Sequence, residues 1–265
     1  LRHFYEYGIF YYALLVMLTY FLLGLMSFRQ IHKYRHRMGF SDEHSLLNSN
    51  EAPGVSIIAP AYNEAGSIEE NIRSLLAIHY PEKEVVVVND GSTDDTLQCC
   101  IDAFDLVKIP YVVRPSLETQ KVRGVYKSTN QAFYNLMVVD KENGGKADAL
   151  NCAINASEHP YITCIDVDCV LDQDAILKMM KPFVVGREER VVATGGVVRV
   201  ANDCTIEGGT LSEVEVPKNL VARFQTLEYL RAFLLGRMAW SYLDGLILIS
   251  GAIGVFDKEI ALEAG

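Results

Sequence analysis

Acidic and polar side chains follow three short apolar runs of this sequence, each of which is typical of a buried strand. They are Asn63-Glu64 after residues 55–59, Asp90 after residues 84–89, and Asp166 with Asp168 after residues 161–165. Ligands of an open parallel sheet bind beyond the carboxyl ends of its strands, so these side chains are candidates for one site. In an extended segment the two carboxylates of Asp-x-Asp point the same way, about 7 Å apart, and both can approach one hard divalent cation.

A loop with two glycines, Gly144 and Gly145, precedes a predicted helix over residues 146–156. The P-loop pattern is not met, because Asp140 stands where its first glycine belongs. A loop and helix N-terminus that carry one ammonium group, that of Lys146, still suit a diphosphate.

Other interpretations of these residues compete. Asp90-Gly91 is also ordinary turn chemistry, with Ser92 as a helix cap. Residues 60–64 lack the Gly-x-Gly-x-x-Gly of dinucleotide-binding proteins, and the Gly-x-Ser-x-Gly of serine hydrolases is missing. The run from Asp166 to Val170 fits the nucleophile signature of haloacid-dehalogenase-type phosphatases, which normally lies on a domain's first strand. That phosphatase stays an alternative.

Strands and helices alternate along the chain, which favours an α/β domain with a parallel sheet. The predicted strands are residues 55–59, 84–89, 111–113, 136–140, 161–166 and 191–200. The predicted helices are residues 67–78, 94–104, 146–156 and 174–183, and residues 114–135 are expected to be irregular. Ser67 with Glu70 three residues later predicts a capping box.

Residues 8–28 contain no charged side chain and are long enough to cross a bilayer. The basic residues Arg29, Lys33, Arg35 and Arg37 follow, and no acidic residue lies between this apolar run and Asp42. The positive-inside rule therefore predicts a cytoplasmic domain, and we expect it on the plasma (inner) membrane. A cleavable signal peptide is the competing interpretation.

Residues 220–240 are helical in period and rich in aromatic and basic side chains, which suits the membrane interface. An ordinary packing helix is the alternative. The run 245–256 is too short to span a membrane and is expected to lie against the domain.

The composition excludes several classes of protein. With 265 residues, 50% of them hydrophobic, and a net charge of -10, the chain is not disordered, a disulfide miniprotein or a multi-span channel. Its acidic body argues against nucleic acid as a partner. The six cysteines show no metal-ligand spacing and are expected to be reduced. The predicted domains are residues 1–37 (membrane helix and flank), 38–53 (linker), 54–218 (nucleotide-sugar-binding domain) and 219–265 (interfacial helix and acceptor-side segment).

Taken together, the motifs resemble family 2 glycosyltransferases, in particular the membrane-anchored synthases of hyaluronan, poly-N-acetylglucosamine, chitin and bacterial cellulose. The matching segments are residues 59–64 (APAYNE), 88–94 (VNDGSTD), 144–151 (GGKADALN), 166–168 (DVD) and 249–252 (ISGA). The resemblance implies a GT-A fold, which is Rossmann-like, with a mostly parallel sheet and flanking helices.

The resemblance also implies roles for single residues. The donor, a UDP-sugar, would be held by Pro60, Tyr62, Glu64, Asp90, Lys146 and Asp166. Asp166 and Asp168 would bind Mg²⁺ or Mn²⁺, and Ser250 and Gly251 would line the acceptor side.

The family follows the Ser-Gly segment with an Asp preceded by Glu, which supplies the general base. This motif does not occur before Gly265, so the base is expected beyond that residue and the chain is expected to be truncated. The expected function is a metal-dependent, inverting transfer of a sugar from a UDP-sugar to a growing polysaccharide or lipid-linked acceptor, with allowance for partner subunits of a synthase complex. A non-catalytic donor-binding or scaffold chain is the alternative.

Overall fold

The computed structural model of the protein describes residues 2–37, 52–113, 115–166, 169–184, 190–207, 210–246 and 248–265. The chain forms two compact units. The helical unit comprises Leu1–Asp42, Val197–Asp203 and Val216–Leu248, and the sheet unit comprises Glu43–Gly196, Cys204–Glu215 and Ile249–Gly265. The domain limits derived from the sequence stay a prediction, and residues 38–51 of the predicted linker lie outside the described residues.

In chain order the elements are α1 (Arg2–Arg37), β1 (Val55–Ala61), α2 (Ile68–Leu76), β2 (Lys83–Asp90), α3 (Thr96–Ala103), β3 (Leu106–Ile109), β4 (Val122–Ser128), a 3₁₀ turn (Gln131–Phe133), β5 (Leu136–Lys141), α4 (Lys146–Ala156), β6 (Tyr161–Ile165), α5 (Ala175–Val184), β7 (Ala193–Gly195), β8 (Thr205–Glu207), β9 (Thr210–Glu213), α6 (Leu220–Leu230), a π-helical segment (Arg231–Arg237), α7 (Met238–Tyr242), β10 (Ile253–Asp257) and α8 (Lys258–Ala264).

Eight of the strands in the described ranges form one mixed sheet in the order β3-β4-β5-β2-β1-β6-β10-β7. The four central strands, β5, β2, β1 and β6, run parallel, whereas β4 and β10 are antiparallel to their neighbours. The register sets Ala61 beside Asn89, and Asn89 beside Asp140. The carboxyl ends of β1, β2 and β5 therefore meet at one edge of the sheet.

The continuous apolar runs of the central strands explain why the sheet has helices on its faces. Ile58, Val86 and Val139 are buried together with Ala149 and Cys152 of α4 in one core cluster. Near-continuous β-branched runs are what strands buried on both faces require, because each successive side chain meets a helix on one face or the other. The predicted parallel arrangement of these strands is confirmed.

The region between β2 and β5 differs from the prediction. Residues 111–113 are not a strand. Strand β3 ends at Ile109, directly before Pro110, which has no N–H to donate to a ladder. Within the stretch expected to be irregular, β4 forms an antiparallel ladder with β5 in which Val125 is buried against the core.

Two further local predictions are wrong, and a third is incomplete. Ser67 makes no capping bond to a helix N–H; its Oγ donates to the Glu64 carboxylate at 2.9 Å instead. Only Ala193–Gly195 of the predicted strand 191–200 is a strand, because the ladder with β10 covers these three residues, and the Val192 carbonyl adds one bond from the N–H of Asp257. Residues 253–257 do not merely lie against the domain, because they form β10 between β6 and β7.

In the helical unit, Tyr5–Arg35 of α1 is long and apolar enough to cross a membrane. The segment 231–242 packs against α1, where the Ser27 hydroxyl donates to the Leu234 carbonyl and Gln30 Nε2 lies 3.4 Å from Ser241 Oγ. The helix predicted over residues 220–240 is present, but its middle is π-helical rather than α-helical.

Candidate functional site

The sheet brings most of the residues singled out in the sequence to one edge. Pro60 lies at the end of β1, Tyr62 and Glu64 follow that strand, and Asp90 ends β2. Asp166 follows β6, and its N–H lies 3.5 Å from the carbonyl oxygen of Ala252. Because Ile253 pairs with Ile165 in the antiparallel ladder, Ser250 and Gly251 enter β10 at this same edge. Asp168 lies outside the described residues.

Two loops at this edge are linked by hydrogen bonds. Asn63, held at φ +56°, donates from its N–H to Ser92 Oγ at 3.0 Å and accepts from the N–H of Thr93 through Oδ1 at 2.9 Å. The N–H of Glu64 donates to the buried Thr96 hydroxyl at 2.8 Å. The loop after β1 therefore takes its shape from the loop after β2, which explains why asparagine, serine and threonine occupy these positions.

The side chains of Tyr62 and Glu64 differ in how much of their surface a ligand can contact. Tyr62 exposes 50% of its surface, so its ring can stack against a planar ligand. One oxygen of the Glu64 carboxylate already accepts the Ser67 hydroxyl, and the contact orients that carboxylate.

The Asp90 carboxylate is buried, and both of its oxygens accept hydrogen bonds from the protein. Its Oδ1 accepts from the N–H of Gly144 at 3.0 Å and from Lys141 Nζ at 2.5 Å, and its Oδ2 accepts from the N–H of Gly145 at 2.8 Å. Asn143 Nδ2 donates to the Asp90 carbonyl at 2.8 Å. Oδ1 thus accepts two of these hydrogen bonds and Oδ2 accepts one, so Oδ2 can accept a further bond from a ligand.

Lys141 is a functional-site residue that the sequence interpretation missed. Its side chain is fully buried, and its ammonium forms ion pairs with Asp90 and Asp148 and donates to the Glu142 carbonyl at 2.7 Å. Burial opposes the charged form, yet the hydrogen bonds to Asp148 and Asp90 outweigh that cost and raise the pKa of Lys141. A lysine placed directly after the predicted strand 136–140 is the signal that could have revealed it.

Lys146 begins α4, and its ammonium pairs with the Asp166 carboxylate. Gly145, just before it, has φ +87° and open space beside it. The side chains of Lys146 and Asp166 are 55% and 31% exposed, so both can reach a ligand from the solvent side. A cation and a carboxylate side by side at a helix N-terminus can act on an anionic group and on a metal ion that accompanies it.

The donor chemistry of Asp166 fits a hard divalent cation. Mg²⁺ and similar ions are usually bound through one or two carboxylates together with substrate phosphates, and Asp166 offers such a carboxylate at the sheet edge. The described ranges contain no group of three or more His, Cys, Asp and Glu side chains that could hold a metal without such help.

Asp257 and Glu259 lie away from this site. Asp257 pairs with Tyr161 at the start of β6, and thus at the opposite edge of the sheet. Its carboxylate accepts from Arg190 at 2.7 Å and caps α8 through the N–H of Glu259 at 3.1 Å. Burial raises the pKa of Asp257, but the bonds from Arg190 and the helix N–H groups outweigh it, and the pKa is lowered overall. Both acids pair with Arg190, and the position of Asp257 at the end of β10, with Glu259 just after it in α8, keeps them from the edge that holds Asp166.

A sequence profile of the family described as "Glycosyl transferase family 2" matches residues 56–210, which is more than half of the chain. The chain belongs to glycosyltransferase family 2. The match covers the strands and loops that build the site, and the predicted family and enzyme class are confirmed. Because Asp166 belongs to that family's domain and follows β6 rather than a first strand, the phosphatase alternative has no support.

The curated relatives of this glycosyltransferase include poly-beta-1,6-N-acetyl-D-glucosamine synthases. The protein of Staphylococcus aureus (strain MSSA476) is 28% identical over 252 residues, which are 94% of this chain and 50% of the relative. That of Staphylococcus epidermidis is 28% identical over 224 residues, 83% of this chain and 44% of the relative. The chain spans about half the length of the curated relatives it matches.

Among solved structures, the glycosyltransferase resembles the mannosyltransferase PcManGT from Pyrobaculum calidifontis, solved in complex with GDP-Man and Mn²⁺. The two share 20% identity with a TM-score of 0.51, over 92% of this chain and 58% of that one. At this identity the likeness concerns the fold, and it confirms the predicted GT-A-like α/β architecture.

Proposed function

We propose that this glycosyltransferase uses a divalent metal to transfer N-acetylglucosamine from its UDP-sugar to a growing polysaccharide or lipid-linked acceptor, with inversion at the sugar carbon. The observation that carries the proposal is the meeting of Tyr62, Asp90, the Lys146–Asp166 pair and the Ser250-Gly251 segment at one sheet edge. The choice of sugar rests on relatives that are named as N-acetylglucosamine polymer synthases.

The uridine of the donor is assigned to Tyr62 and Asp90. The exposed ring of Tyr62 offers a face for the uracil, and Oδ2 of Asp90 keeps an acceptor for an N–H of the base. Pro60 and Glu64 belong to the same loop, which is fixed by its hydrogen bonds to the loop after β2. The donor base therefore meets a largely preformed surface.

The diphosphate is assigned to the start of α4. Lys146 places an ammonium there, and the first turn of the helix contributes unpaired N–H groups. When bound, a divalent cation held by Asp166 and Asp168 would neutralise the charge that develops on the departing nucleoside diphosphate. This local positive charge lets a domain in an acidic chain accept an anionic donor.

The acceptor is assigned to the side of the site formed by Ser250 and Gly251, where no heavy atom lies within 4 Å of a Cβ built on Gly251. An acceptor hydroxyl there attacks the sugar carbon from the face opposite the diphosphate, the bond to the diphosphate breaks, and the hydroxyl proton passes to a general base. Asp257 and Glu259 lie at the far edge, so neither is proposed as that base.

Membrane attachment is proposed through the helical unit. Tyr5–Arg35 supplies a candidate span, and α6 exposes Leu220, Val221, Phe224 and Leu227. Apolar side chains of this size on an exposed helix suit the boundary of a bilayer. The sheet unit is then cytoplasmic at the plasma membrane, as the basic residues after the span predict.

The proposal is tested by calorimetry on the whole chain in detergent micelles. UDP-N-acetylglucosamine should bind with Mn²⁺ and lose affinity with a chelator, and Asp166→Asn should weaken binding at least about tenfold, the lower bound for residues that support a metal. Asp172→Asn is the matched control, because the contacts described for that exposed carboxylate are the Lys178 ammonium and the N–H of Asp174, and neither belongs to the site. Metal-independent binding, or equal binding by Asp166→Asn, contradicts the proposal.

The alternative of a donor-binding chain without catalysis is separated by turnover. If the chain binds the donor but transfers no sugar to any added glycan acceptor, the scaffold alternative gains support. Transfer by the chain alone removes that alternative.

A further inference from the structure

The buried side chain of Lys141 links two elements of the site, β2 and α4. Asp90 ends β2 and Asp148 lies in the first turn of α4, and the Lys141 ammonium reaches both while its own side chain is fully buried. Asp148 also accepts from the N–H of Gln120 at 2.9 Å through its other oxygen. One buried cation thus joins a strand end, a helix start and the segment before β4.

The charge balance of this cluster depends on Lys141. Two carboxylates of low exposure, 4% for Asp90 and 18% for Asp148, share the one ammonium that contacts them in the described residues. Removing one partner of a buried ion pair leaves an uncompensated charge, which is far costlier than removing an exposed one. Without Lys141, Asp90 and Asp148 would face each other as like charges.

The loop between Lys141 and Lys146 is tied to the same carboxylate. The N–H groups of Gly144 and Gly145 both donate to Asp90, and Lys146 follows directly. These two bonds and the Lys141 ion pair together fix the orientation of the Asp90 carboxylate, and that orientation decides where its free acceptor points.

We propose that Lys141 is a positioning residue for donor binding, which never touches the donor but holds the Asp90 carboxylate in the orientation that receives the uridine. This inference rests on the proposed function, because it takes the uridine to lie against Asp90. It assigns Asp148 the role of the second anchor of the ammonium. The effect is confined to the nucleoside end of the site, since Lys146 and Asp166 form a separate pair.

The test compares two probes on the whole chain, UDP and inorganic diphosphate, each with Mn²⁺ by calorimetry. Lys141→Met should weaken UDP at least about tenfold, because it leaves two buried carboxylates without their cation. It should leave the affinity for diphosphate within about threefold, since that probe engages the metal, Lys146 and the first N–H groups of α4 and does not contact Asp90. A parallel loss for both probes shows a merely structural role and overturns the proposal.

Rescue gives a second, independent measurement. Lys141→Met combined with Asp148→Asn restores the original net charge of the cluster, and the amide oxygen introduced at that position can still accept from the N–H of Gln120, so UDP affinity should recover above that of Lys141→Met. A double variant that binds UDP as weakly as the single one overturns the proposal. If Lys141→Met does not fold, the double variant decides alone: folded protein with UDP affinity within about tenfold of the wild type supports the inference, and a larger loss refutes it.

Lys83→Met is the matched control. Lys83 is a half-buried lysine at the other end of β2, where its ammonium donates to the Ile78 carbonyl and burial lowers its pKa. Its removal should leave UDP affinity unchanged. Wild-type protein that fails to bind UDP contradicts the proposed function, whereas wild-type binding with no effect of Lys141→Met contradicts only this inference.

Discussion

Gly91 is the position at which the smallest substitution should do the most damage to the site. Its φ is +66°, and a Cβ at this position would lie 2.6 Å from the backbone nitrogen of Asn143. Asn143 in turn donates to the Asp90 carbonyl at 2.8 Å. Gly91→Ala therefore adds backbone strain and also pushes apart the two loops that enclose Asp90.

The expected cost can be built from its two parts. A residue with a Cβ in the left-handed region costs about 1–2 kcal/mol relative to glycine. A methyl group forced against fixed backbone adds about 1–3 kcal/mol, the usual range for overpacking. We therefore expect Gly91→Ala to lower the free energy of unfolding by about 2–5 kcal/mol. UDP affinity should fall as well, because the loop that carries Gly144 must move.

Two alanine variants separate these parts when denaturant unfolding and UDP binding are measured on the whole chain. Gly145→Ala has backbone strain without a clash, since its φ of +87° and ψ of 171° lie in a region that favours glycine and the added Cβ would have no neighbour within 4 Å, so it should cost about 1–3 kcal/mol. Gly66→Ala has neither strain nor a neighbour within 4 Å and should change stability by less than about 0.5 kcal/mol. If Gly91→Ala lowers the free energy of unfolding by less than about 2 kcal/mol, the steric reasoning is refuted.

Three further outcomes follow from the same contacts. Thr96→Val removes the acceptor of the Glu64 N–H and should lower the free energy of unfolding by about 1–3 kcal/mol in denaturant. Thr96→Ser keeps the hydroxyl and should retain most of the wild-type stability. Burial raises the pKa of the Cys152 thiol from 9.0 to about 11. The contribution of this thiol to stability is therefore fully present below pH 9 and should be lost as the pH rises towards 11. Cys152→Ala should make the free energy of unfolding fall less steeply over this range, and an unchanged slope would contradict the prediction. Arg190→Met removes a hydrogen-bond donor from Asp257, whose side chain is only 13% exposed, at the far edge of the sheet; it should lower stability by about 1–3 kcal/mol and leave UDP affinity unchanged.

Local sequence was sufficient for the central strands and for α4. The runs at 55–59, 84–89 and 136–140 are apolar without alternation, and this pattern fits a strand that is covered on both faces. Helix α4 begins at Lys146 and ends at Ala156, as predicted, because the glycine loop before it and the small apolar residues within it act over a few positions only. The placement of Glu64, Asp90 and Asp166 after strand ends followed from the same reasoning, whereas Tyr62 was singled out by the family resemblance.

Strands at the flanks of the sheet were harder to foresee. Strand β4 has no regular apolar pattern of its own, and the burial of Gly124 and Val125 depends on the antiparallel pairing with β5. Strand β10 lies about 90 residues from its partner β6, and local patterning carries no information on which distant strand will accept its hydrogen bonds. That pairing brings Ser250 and Gly251 to the edge that holds Asp166.

The sequence by itself thus determined the family, the parallel centre of the sheet and the residue types that face the donor edge, since these depend on short motifs and on apolar periodicity. The tertiary structure alone decided that Lys141 is buried between Asp90 and Asp148, and that Asp257 and Glu259 lie at the opposite edge. Both outcomes arise from the packing of elements that are distant in sequence. A charged residue's spacing along the chain cannot show whether water or two carboxylates will surround it.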